Sequence, residues 1–249
     1  MTRNFLAAAQ FLTRVPIRLR TEPDLAAAVP WFPVVGAVIG TAVGLSAVGL
    51  MEVVPASVAA AVAIIVGMMI TGAFHEDGLA DTADALGGTT PQRRREILKD
   101  SRHGSYGVAA MCSTIVLRIV CVASLGPAAA FAGLVSAHTL GRGAAVATMM
   151  IARPAPQEGL GADYTRVLSR RSAAAGVLAA LTLVCVVSGW WVGPLVLATS
   201  LGAAAVIRIA HRSFDGISGD LLGAVEQVGE CVVLIVVSGL AIHHRPWWS

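Results

Sequence analysis

Seven apolar stretches, at roughly 31–51, 56–74, 107–125, 128–152, 172–190, 194–211 and 228–243, fill most of this 249-residue chain. Each approaches the ~20 residues a helix needs to cross a bilayer core. The chain is 56% hydrophobic and only 13% charged, with a mean hydropathy of +0.74, which is more apolar than an ordinary soluble domain. In lipid, every backbone N–H and C=O must be bonded internally, and dominance of Ala, Leu and Val favours helices over a barrel. The expected fold is all-α: a polytopic integral membrane protein with about seven transmembrane helices. No linker rich in Ser, Pro or charge divides the spans, so residues 1–249 read as one membrane-embedded domain.

The connections alternate in charge as real spans require. One side receives Arg14, Arg18 and Arg20, then Arg93, Arg94, Arg95, Lys99 and Arg102, then Arg153, Arg166, Arg170 and Arg171, then Arg212. The other receives Glu52, two nearly uncharged turns and a tail with Arg245. Basic loops stay cytoplasmic, which predicts a cytoplasmic N-terminus and an outside C-terminus. The same asymmetry accounts for the net charge of +3 without nucleic acid, and no basic stripe with interleaved aromatics is present. Trp31, Trp190, Trp191, Trp247 and Trp248 fall at span ends, where indole rings anchor in the headgroup layer. The first twenty residues lack the apolar core and cleavage site of a secretory signal and read as an interfacial amphipathic helix. Cys112, Cys121, Cys185 and Cys231 are isolated in apolar runs, a pattern of packing rather than of disulfides or zinc.

Against this background, Phe74 to Gly107 is a polar island on the cytoplasmic side. Asp77, Asp81 and Asp84 stand at i, i+4 and i+7, within roughly 60° of one another on a helix. Like charges on one face are stable when a cation sits among them, and hard oxygen ligands without nearby Cys favour Mg²⁺ or Mn²⁺. Glu76 lies about 100° away and is expected to reach a second ion or the helix beneath. Arg102, next to Gly104, Ser105 and Gly107, suits phosphate binding by a guanidinium and the N–H groups of a helix start; Lys99 and Asp100 belong to the same stretch. Arg93 to Arg95 read as topology signals. Arg118 and Arg142 fall inside spans, where a charge costs about 2.5–3.5 kcal/mol even on the lenient insertion scale. Arg142 is expected to face a functional polar cavity, and Arg118 to pair with an acid of another helix. A second polar segment, residues 211 to 230, offers Arg212, Gly216, Ser218, Gly219, Asp220, Glu226 and Glu230 on the same side of the membrane. Asp220 and Glu230 need polar partners there, so this segment is expected to form the second half of one site.

GAFHEDGLADTADALGG, KDSRHGSYG and GISGDLLGAVEQVGE, with FLTRVPI and WFPVVGAVIG near the start, resemble the cobalamin-5′-phosphate synthase (adenosylcobinamide-GDP ribazoletransferase) family over nearly the whole chain. The resemblance implies a Mg²⁺-dependent transferase of the bacterial inner membrane that completes coenzyme B12. α-Ribazole, or its 5′-phosphate, attacks adenosylcobinamide-GDP through its 3′ hydroxyl and displaces GMP. The family's acidic motif maps onto Glu76, Asp77, Asp81 and Asp84, its DSR motif onto Asp100, Ser101 and Arg102, and its glycine-rich motif onto Gly216, Gly219, Asp220, Gly223 and Glu230. Two positions depart from it: Asp215 stands where Gly is usual, and Ser218 where Thr is usual. The expected metal ligands are Glu76, Asp77, Asp81 and Asp84, and the expected catalytic residues Asp81, Asp84 and Asp220, with Asp84 as base by analogy with CDP-alcohol phosphotransferases. Phosphate or substrate binding is expected of Lys99, Asp100, Ser101, Arg102, Gly104, Arg142, Arg212, Gly216, Ser218, Gly219, Asp220 and Glu230. The bilayer is a partner, and a homo-oligomer stays open. The competing readings are a lipid-directed CDP-alcohol phosphotransferase and a cation-coupled transporter, the latter weakened because the acids gather at one membrane face instead of the midplane.

Overall fold

A computed structural model describes residues 1–20, 23–100, 102–155 and 168–249. In these the fold is all-helical, with a single isolated parallel bridge between Pro154 and Ile217. The helices are α1 (Thr2–Leu12), α2 (Leu25–Ala28), α3 (Phe32–Met51), α4 (Ala56–Thr71), α5 (Phe74–Leu86), α6 (Pro91–Ile97), α7 (Ser105–Ala123), α8 (Pro127–Ile151), α9 (Arg170–Ser188), α10 (Val192–Ser213) and α11 (Gly219–Leu240).

The bundle is built around α8, which is buried along most of its 25 residues and packs against α3, α9 and α11. Lipid supplies little hydrophobic drive between helices, so close packing must. On α3, Gly36, Gly40 and Gly44 recur every fourth residue on the face toward α8. A methyl on Gly40 would come within 2.8 Å of the Leu134 carbonyl oxygen and the Val135 Cα, so only hydrogen fits. The amphipathic α1 buries Ala7, Ala8 and Leu12, and Phe11 stacks on Phe32 while meeting Phe74 edge-on. That packing docks α1 on the bundle end that carries α5.

By length and composition, four stretches of the described residues can cross a membrane: Ala26–Met51, Ser105–Ala123, Arg170–Ser213 and Gly219–Leu240. A fifth results if α4 and α5 count as one broken span. Each of the seven expected apolar runs coincides with a long helix, and three features separate that number from this set of stretches. The span after residue 56 does not continue straight: Gly72 (φ +70°) and Ala73 (φ +55°) are both left-handed, and α5 leaves α4 at 90°. Secondly, α8 is long but carries His138 and Arg142, whose polarity is met inside the bundle. Finally, Arg170–Ser213 is one continuous apolar stretch that doubles back at Gly189 (φ +58°). Its two arms share a groove on α8, lined by Val177 and Leu181 from α9 and by Val196 and Ala203 from α10. The 153–171 connection, long enough for a lid or a short surface helix, falls largely outside the described residues. Its start is tied down, with Ala155 N–H donating to Ile217 O and Ile217 N–H to Arg153 O, each at 2.9 Å.

Because the α3–α8 seam has no room at Gly40, Gly40→Ala is expected to destabilise the bundle by about 1–3 kcal/mol, as overpacking does. Gly49→Ala, where the added methyl meets nothing within 4 Å, is the control. Denaturant titration of the detergent-solubilised variants checks the difference.

Candidate active site

The right-angle bend lays α5 across the end of the bundle, against α7 and α11. The closeness of α5 and α11 is set by glycines. A methyl on Gly78 would fall 2.9 Å from the Asp220 carbonyl oxygen, and one on Gly223 would fall 3.3 Å from that of His75. The HEDG and GDLLG sequences thus interlock backbone to backbone, which brings the first turn of α11 to the acidic face of α5 and joins the two polar segments as expected.

Asp77 is largely exposed on that face and Asp81 is mostly covered. His103, from the loop before α7, reaches both: Nε2 is 3.3 Å from Asp77 Oδ1 and Nδ1 is 3.5 Å from Asp81 Oδ1. One ligand atom from each of the three lies within 4.8 Å of the others. Burial, then the negative charges of Asp77 and Asp220, push the Asp81 carboxyl up to about 6. That sensitivity places Asp220 within electrostatic reach of the pair. A crowded acidic face whose buried carboxyl is pushed up by its neighbours is what an oxygen-seeking cation would relieve, so the donor set fits a hard divalent ion.

Asp84 is differently employed. Its Oδ2 accepts from Gly104 N–H at 2.6 Å and its Oδ1 from Gly107 N–H at 2.8 Å. The anion-binding start of α7 expected for a substrate phosphate is therefore filled by Asp84, with Gly104 as its donor. Asp84 stands on the α7 side of α5 as a brace.

Glu76 does not join Asp77 and Asp81. It is 3% exposed and lies in a buried network spanning α5, α7, α8 and α11. Arg118 donates to Glu76 at 2.9 Å and to Glu230 at 2.8 Å. Arg142 donates to Glu230 at 2.6 Å and also pairs with Glu226. His138 Nδ1 lies 2.5 Å from Glu230, and His75 Nδ1 is 3.6 Å from Glu226. Arg118 thus finds the acids of other helices, as anticipated. Arg142 and Glu230, expected to touch substrate, are 1% and 2% exposed and occupied with each other. An intramembrane charge is tolerated when it is paired inside the bundle, and these pairs meet that condition.

The remaining expected positions lie nearer solvent. Arg102 is exposed and forks onto Asp100, with bonds of 3.0 and 2.8 Å. Those bonds hold the Asp100 carboxyl down to about 2. Lys99 and Arg212 are exposed; Ser101 lies outside the described residues. Ser218 caps α11 by accepting from Leu221 N–H at 3.4 Å, a hydroxyl's task that Thr performs equally. Gly219 is exposed at the helix start. Gly216 (φ +149°) leaves no space for a side chain, since a methyl would meet the Arg153–Ala155 backbone at 2.7 Å. Asp215 adopts φ +60°, which explains why Gly is usual there; Asp is among the residues that tolerate this region. Its carboxylate pairs with Arg95 at 3.3 Å and its carbonyl accepts from Arg153 at 3.1 Å. Arg94 donates to Gly88 O and Ser213 O, so Arg94 and Arg95 also tie the two polar segments together.

Two features escaped sequence reasoning. His103 sits immediately after the DSR triplet, a position that flagged proximity to phosphate more than to acids. Beside Asp77 and His103 opens a cleft of about 460 Å³ bordered by Thr13, Arg14, Gly72 and Met111. Part of its lining comes from the N-terminal segment, about 60 residues away in sequence.

A bundle of membrane-length apolar helices with aspartates from two segments gathered beside an open cleft defines a class: polytopic helical membrane proteins with an acidic polar site at one end of the bundle. The particular family follows from comparison. Residues 4–238 match the family model described as cobalamin-5-phosphate synthase, and the chain belongs to that family. It is 36% identical to the adenosylcobinamide-GDP ribazoletransferase of Azorhizobium caulinodans, over 96% of both chains. It is equally similar to the enzymes of that name from Ralstonia nicotianae, over 94% of both, and Bradyrhizobium diazoefficiens, over 95% of both. No solved structure matches the chain.

Removing one member of a buried ion pair strands its partner at a cost of about 3–5 kcal/mol. Glu230→Ala leaves Arg118 with Glu76 alone and Arg142 with Glu226 alone, and is expected to lower unfolding free energy by up to about that amount in detergent. Glu96→Ala, which removes an exposed partner of Arg93, is expected to leave it unchanged, because solvent screens such a pair.

Proposed function

We propose that this chain is an adenosylcobinamide-GDP ribazoletransferase, performing the final assembly step of cobalamin at the cytoplasmic face of the bacterial inner membrane. The carrying observation is the meeting of Asp77, Asp81 and Asp220 from two distant segments beside an open cleft. The acceptor is α-ribazole or its 5′-phosphate, and the donor is adenosylcobinamide-GDP.

In the reaction, the 3′ hydroxyl oxygen of the ribazole forms a bond to the phosphorus attached to cobinamide. The P–O bond to the guanosine phosphate breaks, GMP departs with that bridging oxygen, and the hydroxyl proton passes to a carboxylate. Asp77, Asp81 and Asp220 would hold Mg²⁺, with His103 spanning the first two; when bound, the ion neutralises charge on the pyrophosphate. We assign the base to Asp81 in place of Asp84, because both Asp84 oxygens already accept backbone N–H groups. Lys99, Arg102 and Arg212 are exposed cations available to the guanosine phosphate, and Arg102 would exchange Asp100 for it.

Purified protein supplied with adenosylcobinamide-GDP, α-ribazole 5′-phosphate and Mg²⁺ is expected to release GMP, detected by mass analysis of both products. Asp81→Asn is expected to lower the rate by about 10²–10⁴-fold, the range of a lost general base, while its unfolding profile stays that of the parent. Near-normal turnover by that variant rules out both roles given to Asp81. Release of CMP from a CDP-lipid without GMP release would move the chain to the lipid phosphotransferase reading.

A further inference from the structure

We propose that Arg14, in the N-terminal segment, is the site that takes the 5′-phosphate of the acceptor, and that the cleft between it and Asp77 is the acceptor pocket. The proposal rests on the transferase reading above and adds to it a specificity-determining residue.

Arg14 follows α1, and its backbone N–H donates to Ile70 O at 2.7 Å, near the C-terminal end of α4. Its side chain then lies across Gly72. A methyl there would be 2.9 Å from Arg14 Cγ and 3.0 Å from Cδ, so the glycine that turns the chain through the bend also clears a path for the arginine. The left-handed φ of +70° already favours Gly at this position; the arginine adds a second reason for it. The bend that sets α5 in place therefore sets Arg14 in place too.

Arg14 has no ion-pair partner among the described residues, whereas Arg93, Arg95, Arg102, Arg118 and Arg142 all have one. It borders the same 460 Å³ cleft as Asp77 and His103. The cleft is thus lined both by Asp77 and His103 of the acidic site and by an unpaired guanidinium with Thr13 beside it. A ribonucleotide presenting its 3′ hydroxyl to the acids would carry a dianionic phosphate at its other end, the group an Arg fork binds best. The exposed cations of the other segments, Lys99, Arg102 and Arg212, remain for the guanosine phosphate.

The test is the affinity of α-ribazole 5′-phosphate and of unphosphorylated α-ribazole for the parent, Arg14→Gln and Arg14→Lys. Calorimetry on detergent-solubilised full-length chain reads both ligands, with GMP release followed in parallel. Arg14→Gln is expected to weaken the phosphorylated ligand at least tenfold more than the unphosphorylated one, and Arg14→Lys to recover part of that ratio. Equal weakening of both ligands overturns the proposal, because it marks a structural role. Unchanged affinity for both also overturns it, and would point to contact with lipid phosphate; weakening confined to adenosylcobinamide-GDP overturns it in favour of the guanosine phosphate. Should the parent release no GMP while the selective weakening is observed, the transferase reading falls and the phosphate site stands.

Discussion

The arrangement depends on a buried contact in which two guanidiniums face three carboxylates inside an apolar bundle. Arg118 and Arg142 each reach acids from a different helix, so α5, α7, α8 and α11 can come together only in the register that satisfies them. Such pairs are poor sources of net stability, since desolvation offsets much of their attraction. Their effect here is positional. Glu76 is anchored to Arg118, and its neighbour Asp77 is thereby held outward on the cleft side of α5. The network fixes the acidic surface from behind.

Glycines do the complementary work. The α3–α8 seam, the α5–α11 contact and the turn at Gly216 are each closed by backbone approaching a position that lacks a Cβ. Where charge selects which helices meet, these positions decide how near they come. The reactive geometry needs both, since Asp220 belongs to the helix drawn in by Glu226 and Glu230 and meets α5 across Gly78.

Much of this was legible in the sequence. Apolar runs and their breaks marked the helices, the scarcity of charge made 74–107 and 211–230 conspicuous, and the cost of intramembrane arginine predicted that Arg118 would pair. What was not legible depends on direction and depth. Glu76 and Asp77 are adjacent, yet one turns inward to Arg118 and the other outward to the cleft, a distinction that helical spacing at 100° hints at without choosing the inner side. Asp84 shares a helical face with Asp77 and Asp81, but the arrival of Gly104 and Gly107 consumes its oxygens. Arg142 faces Glu226 and Glu230, more than 80 residues away in the chain, and nothing in the spacing distinguishes such a pairing from an arginine aimed at substrate. Similarly, hydropathy closes the second span at residue 74 without showing the right-angle turn at Gly72 and Ala73, because left-handed backbone leaves no mark in an apolar average.

The short bridge between Pro154 and Ile217 has a mechanical consequence. Ile217 precedes Ser218, whose hydroxyl caps the turn bearing Asp220, and Asp215 two residues earlier is gripped by Arg95 and Arg153. Three connections that lie far apart in the chain are therefore clamped at one point. Displacing the 153–155 backbone pulls on the cap of α11, so the reach of Asp220 toward α5 is geared to the segment that leaves α8.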